Sequence, residues 1–364
     1  MLFFTGFPGF LGSELILELL PKLQNEKAVC LVQEKFMALA VAQRSLLPAK
    51  IQNRVEFVFG DLTLPNLGLS NTFILENASR ITQIFHLAAV YDLNVKEALA
   101  TRVNVEGTKN TLSFARQCNN LKRFQYVSTC YVSGRTLGVF LESDLSRNQH
   151  FNNYYESTKY LAEVEVQKAK KDGLPCTIYR PAIVVGNSLT GETQKFDGPY
   201  FVLQWLLRQP KWFAILPTVF SKDCKTGTSN LNLVPSDFVI QAIAYLSQQE
   251  DTLSQVFQLA DPNPLSIPEI IREFGKVLNK RIITIPLPLW LARFVLKNIP
   301  FLEKWMGVPH SALNYFVQPT HYDVSNTLNH LQGSGISIPH LRKYLPNLVS
   351  YMIANKNKRT KALV

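Results

Sequence analysis

The chain has 364 residues, 46% hydrophobic and 18% charged, with Gly 17 and Pro 20. That apolar content excludes wholesale disorder, and the glycine and proline counts exclude a collagen-like chain. Lys+Arg 38 against Asp+Glu 27 gives a net charge of +11, which favours anionic partners such as nucleotide or coenzyme A phosphates, acidic lipid or nucleic acid, without choosing among them.

Along the first half, short apolar runs alternate with helical patterns. Leu2–Phe4, Ala28–Val32, Val55–Phe59, Ile84–Ala88, Arg123–Ser128 and Thr177–Val185 read as strands. They are nearly continuously apolar, as strands buried on both faces should be. Between them, Leu11, Leu15, Leu19 and Leu23 predict one helix face, and Val105, Leu112 and Ala115 another. Tyr155–Lys171 predicts a third helix, with Leu161, Val164 and Ala169 apolar among charges. Alternation of this kind means an α/β fold with a doubly wound parallel sheet. After residue 186 prolines become frequent and strands short, at Asn230–Val234, Gln255–Leu259 and Arg281–Ile285, with helices at Asp237–Leu246 and Pro268–Leu278. The organisation is therefore 1–186 as a dinucleotide-binding domain, to which elements of 230–260 can return. A smaller mixed cap follows at 187–350, and a basic tail at 351–364. The stretch Asn355–Lys361 is polar and basic and is expected to fray.

The apolar windows Pro199–Phe220 and Ile285–Phe301 carry charges and prolines. Neither reaches the roughly 18 uninterrupted apolar residues of a membrane-spanning helix. Met1–Phe4 lead straight into glycines, which does not fit a signal peptide. Five scattered cysteines (Cys30, Cys118, Cys130, Cys176 and Cys224) form no CxxC pair. They read as reduced thiols of a cytoplasmic protein, with no metal site.

The first motif is Thr5-Gly6-Phe7-Pro8-Gly9-Phe10-Leu11-Gly12, a strand turning into a helix with GxxGxxG spacing. Gly6 allows the tight turn, Gly9 the approach of a pyrophosphate, and Gly12 close packing of helix on strand. The helix opening at Phe10, Leu11 and Gly12 offers free N–H groups and a partial positive charge to phosphates. At the end of the second strand, Gln33 and Lys35 can face a 2′-phosphate. Glu34 is the nearest carboxylate that could accept from a ribose diol. This favours NADP, with NAD as the alternative. After the third strand, Asp61 can accept from the adenine amino group while Leu62 covers the ring, or Asp61 simply caps a helix.

The second motif is Tyr155-Glu156-Ser157-Thr158-Lys159. Residues four apart share a helix face, so Tyr155 and Lys159 can point into one cleft. An ammonium beside a phenol is expected to lower the phenol's pKa and ready it for proton transfer. The stretch Tyr126–Gly134 is an apolar strand ending in hydroxyl residues, where ligands meet parallel sheets. Thr129 can hold a substrate carbonyl oxygen beside Tyr155, and Ser128 is its rival.

Taken together, these residues resemble the extended short-chain dehydrogenase/reductase family, whose nucleotide-binding half is a Rossmann fold. The features follow the family's order: Thr5–Gly12, Gly60-Asp61-Leu62, His86-Leu87-Ala88-Ala89, Asn104–Thr108, Val127-Ser128-Thr129, Tyr155–Lys159, Arg180–Gly186 and Val234-Pro235-Ser236-Asp237. The resemblance implies that Thr129 and Tyr155 bind and protonate a carbonyl and that Lys159 also holds the nicotinamide ribose. It further implies that Ala88 lines the cofactor cleft and that Asn104 fixes the neighbouring strand. Ser128-Thr129 with Ile183–Glu192 is similar to the thioester-reductase and fatty acyl-coenzyme A reductase branch, although the adenylation and carrier domains of its larger members are not in this chain. That branch implies NADPH reduction of an acyl thioester to aldehyde, and onward to alcohol. The rival readings are a hydroxysteroid- or dihydroflavonol-type ketone reductase, and more remotely a non-catalytic NAD(P) sensor. Phe201, Trp205, Trp212, Phe213, Trp290, Phe294 and Trp305 make the cap aromatic. They predict either an ordinary small core or an apolar tunnel for an acyl chain. Leu287–Lys297 adds peripheral membrane contact as a third option. The expected partner is an apolar small molecule rather than nucleic acid.

Overall fold

The computed structural model describes residues 1–92, 94–220, 229–298 and 310–355. Its centre is a seven-stranded sheet in the order β3-β2-β1-β4-β5-β7-β11, every neighbouring pair parallel. The strands are β1 (Leu2–Thr5), β2 (Ala28–Val32), β3 (Val55–Phe59), β4 (Gln83–His86), β5 (Arg123–Val127), β7 (Cys176–Pro181) and β11 (Val256–Leu259). A short β6 (Gly138–Phe140) lies outside this sheet and pairs with β13 (Thr320–Tyr322). Every residue of β1, β2, β5 and β7 is buried, which accounts for their largely apolar character.

Helices cover both faces. The helix Phe10–Leu19 packs Leu15, Ile16 and Leu19 with Val239 and Ile243 of the helix Ser236–Leu246 in one core. Leu112 and Ala115 of the helix Gly107–Ala115 and Ala162 and Val166 of the helix Tyr154–Lys171 form the other. The four cysteines among the described residues, Cys30, Cys118, Cys130 and Cys176, are free and buried. Cys224 lies outside the described residues.

Two expectations need correction. The apolar face assigned to Tyr155–Lys171 is wrong in part. Ala169 is buried as expected, but Leu161 and Val164 are exposed, whereas Glu156, Thr158, Lys159 and Glu163 are buried. This helix turns polar groups inward because each finds a partner there, as described below. The run Thr177–Val185 is not one strand. It breaks at Ala182, and β8 (Ile183–Val185) leaves the sheet to pair with β10 (Leu233–Pro235).

The cap has its own core, built by the helices Pro199–Arg208, Ile267–Leu278 and Leu341–Ala354. Two strands, β9 (Phe213–Phe220) and β12 (Arg281–Pro288), pair in parallel beside it. Ser266 and Glu269 cap the second of these helices reciprocally. The last helix places Met352 in the cap core, past the expected tail boundary. Residues 356–364 lie outside the described residues, as do 299–309 with Trp305. The strand order reverses between β1 and β4, so the loops after their carboxyl ends diverge and open a crevice, the usual ligand position in such sheets.

Candidate active site

The cradle begins at Gly6, which has φ +100 and whose Cβ, if present, would lie 2.8 Å from the Ala88 amide nitrogen. Gly9 and Gly12 wrap around the Gly6 carbonyl oxygen, and a Cβ on either would come within 2.7 or 2.8 Å of it. The Gly9 N–H donates to that oxygen at 2.8 Å. The second and third glycines are thus required by the loop's own packing, a reason more immediate than ligand approach. The helix after Gly9 has no side-chain cap. Its first N–H groups, at Phe10, Leu11 and Gly12, have no acceptor within the helix, and all three residues line the cavity. These features fit the phosphates of a dinucleotide.

At the other end of the cradle stand Gln33, Lys35, Asp61 and Leu62. Burial pushes the Asp61 carboxyl up, but hydrogen bonds from Thr63 and Gln33, with the Arg102 guanidinium beside it, hold it below its ordinary value. Gln33 is therefore within reach of the Asp61 carboxyl while lining the cavity. Lys35 is exposed with its ammonium 4.7 Å from the centre of the Phe36 ring. Arg102, which carries no sequence signal of its own, also lines this end. No glycine or motif marks it.

Beyond the crevice, Ala88 donates its N–H to Thr5 Oγ1 at 3.3 Å. His86 is clamped between Thr5 Oγ1 (2.7 Å) and Thr108 Oγ1 (2.9 Å), and burial pushes its pKa down to about 3. Asn104 accepts from the Val90 N–H at 2.8 Å and donates to Thr158 Oγ1 at 3.0 Å, so it ties the loop after β4 to the helix Tyr154–Lys171.

Thr129, Tyr155 and Lys159 meet in the same cavity, whose volume is about 820 Å³. Asn153 caps their helix by accepting from the Glu156 N–H at 3.0 Å. Lys159 is buried, donates to the Val127 carbonyl at 2.8 Å and lies 4.4 Å from the Tyr126 ring centre. Burial pushes its pKa down to about 7, against the opposing charge of Glu163. The phenol of Tyr155 moves opposite to expectation. Burial raises it well above its ordinary value, and a hydrogen bond with Thr129 only partly counters this. Tyr91 packs edge-on against Tyr155 at 5.0 Å.

Thr129 and its rival differ in their partners. Ser128 Oγ donates to Glu163 Oε2 at 2.5 Å, and Glu163 is paired with the fully buried Arg180. Thr129 Oγ1 donates to the Pro181 carbonyl at 3.3 Å and is within reach of Tyr155.

The substrate side is walled by Tyr91, Tyr131, Ile183, Leu231, Tyr315 and Phe316, with Asp197 among them. Burial raises the Asp197 carboxyl, and the Lys195 charge opposes the rise. Of these, Tyr131, Ile183 and Leu231 fall within stretches that the sequence marks. Tyr315 comes from beyond residue 309 and reaches the site through its hydroxyl, which accepts from Asn153 Nδ2 at 2.9 Å. None of the described cap aromatics named from the sequence lines this cavity, which removes them as tunnel walls. Trp205 belongs to the cap core, and Trp212, Trp290 and Phe294 point outward.

Fold and site together define a nicotinamide-dependent oxidoreductase. The male sterility protein family matches residues 4–243, and the chain belongs to that family, within the NAD(P)-dependent extended short-chain dehydrogenases/reductases. It is similar in structure to the terminal R domain from the myxalamid PKS-NRPS biosynthetic pathway, with a TM-score of 0.83 and 25% identity, over 98% of this chain and 91% of that one. In sequence it is 28% identical over 279 residues to a linear gramicidin synthase of Brevibacillus parabrevis, covering 73% of this chain and 5% of the relative. It is also 28% identical over 244 residues to the fatty acyl-CoA reductase wat of Drosophila melanogaster, covering 55% of this chain and 46% of that protein. The chain thus spans less than half of these two curated relatives.

Proposed function

We propose that the chain is an NADP-dependent reductase of an acyl thioester, carried on coenzyme A or a carrier domain, or of the aldehyde derived from it. The observation that carries this reading is the convergence of Thr129, Tyr155 and Lys159 with the glycine cradle in one cavity. Gly6, Gly9, Gly12 and the helix N-terminus would hold the pyrophosphate, and Asp61 and Leu62 the adenosine. When bound, the reduced nicotinamide supplies a hydride to the carbonyl. The hydroxyls of Thr129 and Tyr155 hold the carbonyl oxygen where negative charge develops. Burial keeps the Tyr155 phenol protonated at neutral pH, so it enters the reaction as the acid. A charged Lys159 steadies the phenolate that remains, and it is placed to hold the nicotinamide ribose. The resulting hemithioacetal breaks its C–S bond, releasing thiol and leaving aldehyde. The preference for NADP rests on Gln33 and Lys35 at the adenosine end, with Arg102 beside them. The buried thiols suit a reducing cytoplasm.

The test is to incubate the protein with a long-chain acyl-coenzyme A and either NADPH or NADH, measuring cofactor oxidation and free thiol together. The expected result is thiol release with NADPH preferred. Tyr155→Phe should lower turnover by at least about 100-fold with cofactor affinity nearly unchanged. Cofactor oxidation on ketones with no thiol release from any acyl chain length would assign the chain to ketone reduction instead.

A further inference from the structure

We infer that the outer face of the cap is a docking surface for an anionic lipid bilayer. In the two-stranded cap sheet, Ile215 pairs with Ile283, Pro217 with Ile285 and Val219 with Leu287. Strand residues alternate faces. Ala214 and Leu216 enter the cap core, so the opposite face carries Ile215, Ile283 and Ile285, which are 39%, 47% and 45% exposed. Val219, on that same outer face, packs with Leu289, Ala292 and Leu296. The helix Leu289–Asn298 therefore lies across one end of the outer face. Its far side presents Trp290 and Phe294, one turn apart, at 70% and 62% exposed. Large apolar side chains gathered on one surface mark an interaction site.

The charges choose the partner. The segments 208–220 and 279–298 contain Arg208, Lys211, Lys280, Arg281, Arg293 and Lys297 and no Asp or Glu. Arg293 donates to the Asn314 amide oxygen, a neutral partner, and Lys280 donates to the carbonyls of Leu206 and Gln209. On the neighbouring helix Ile267–Leu278, Glu269 is bound by Arg342, and Glu273 by Lys276 and Arg342. Exposed tryptophan, phenylalanine and isoleucine amid cations is the composition of a surface that inserts shallowly between anionic headgroups. Among the described residues no helix is long and apolar enough to cross a membrane, so the contact is peripheral. This inference stands on the surface alone and does not depend on the reductase reading.

The experiment sediments the full chain with vesicles of phosphatidylcholine alone or mixed with phosphatidylserine. The expected result is pelleting with the mixed vesicles only, weakened by salt. The pair Trp290→Ala/Phe294→Ala, exposed and outside the cavity lining, should lower partitioning by at least about tenfold. Circular dichroism and nicotinamide cofactor affinity should be unaltered. The pair Arg281→Glu/Lys297→Glu should weaken binding to the anionic vesicles and leave little salt dependence. Absence of pelleting, or undiminished pelleting of the aromatic pair, would overturn the proposal. So would sedimentation without vesicles, which would make the face a contact between copies. Saturable capture of an acidic carrier domain with no vesicle binding would likewise assign it to a protein.

Discussion

Lys159 has two demands on it that burial sets against each other. In the proposed mechanism it carries charge to steady Tyr155, yet it is buried, which pushes its pKa down to about 7. Below that pH the ammonium persists, and above it the group is neutral. In the reductive direction kcat/KM, which reports the free enzyme, should therefore fall as pH rises through about 7. Lys159→Met should lower activity and remove that limb of the profile. A limb that survives the substitution would assign it to another group. The same residue shows where sequence reasoning stops. The spacing of Tyr155 and Lys159 was legible, because helical periodicity alone puts them on one face. The direction of the Tyr155 shift was not, because it depends on how much water the folded chain excludes from the phenol.

At the scale of elements, the helix Tyr154–Lys171 misled because it buries Glu156, Lys159 and Glu163 beside its inward Ala162, Val166 and Ala169. Periodicity assumes that apolar residues seek the interior. Here Glu163 goes inside, because Arg180 of β7 donates to it at 2.5 and 3.0 Å and Ser128 satisfies the other oxygen. Arg180 also donates to the Glu142 and Asp144 carbonyls. A pair of this kind is costly to break from one side only. Glu163→Ala should lose about 3–5 kcal/mol in chemical denaturation, and Glu163→Leu with Arg180→Met should recover part of the loss. The strands β1 to β5 were legible almost to the residue, because their apolar residues run nearly continuously, even in the edge strand β3, where only Val55 is buried. β9 was not, because its alternation of inward Ala214 and Leu216 with outward Ile215 is masked by residues that are apolar throughout.

For the whole molecule, His86 sets a limit in acid. It is neutral in the fold, with its pKa pushed down to about 3, and takes up a proton near pH 6.5 once unfolded. Between those values the unfolded chain binds more protons, so stability falls as pH drops from about 6.5 toward 3. The loss attributable to this residue is ~4 kcal/mol. Thermal melts of the protein and of His86→Gln across that range should converge toward low pH. Parallel melts would remove His86 as the cause. The order of motifs along the chain made the nucleotide-binding half and its glycine cradle readable. The substrate wall was not, since Tyr91, Asp197 and Tyr315 converge from distant segments that share no spacing.

The return of β11 to the sheet has a practical consequence. Residues 187–255 form an excursion between two neighbouring strands, β7 and β11, rather than an appendage at one end. A fragment ending at residue 186 would strip β11 from β7 and bare one edge of a six-residue strand whose side chains are all buried in the intact fold. Such a rim templates further strands. Attempts to express the nucleotide-binding half alone should yield aggregates, whereas fragments retaining Val256–Leu259 should stay dispersed.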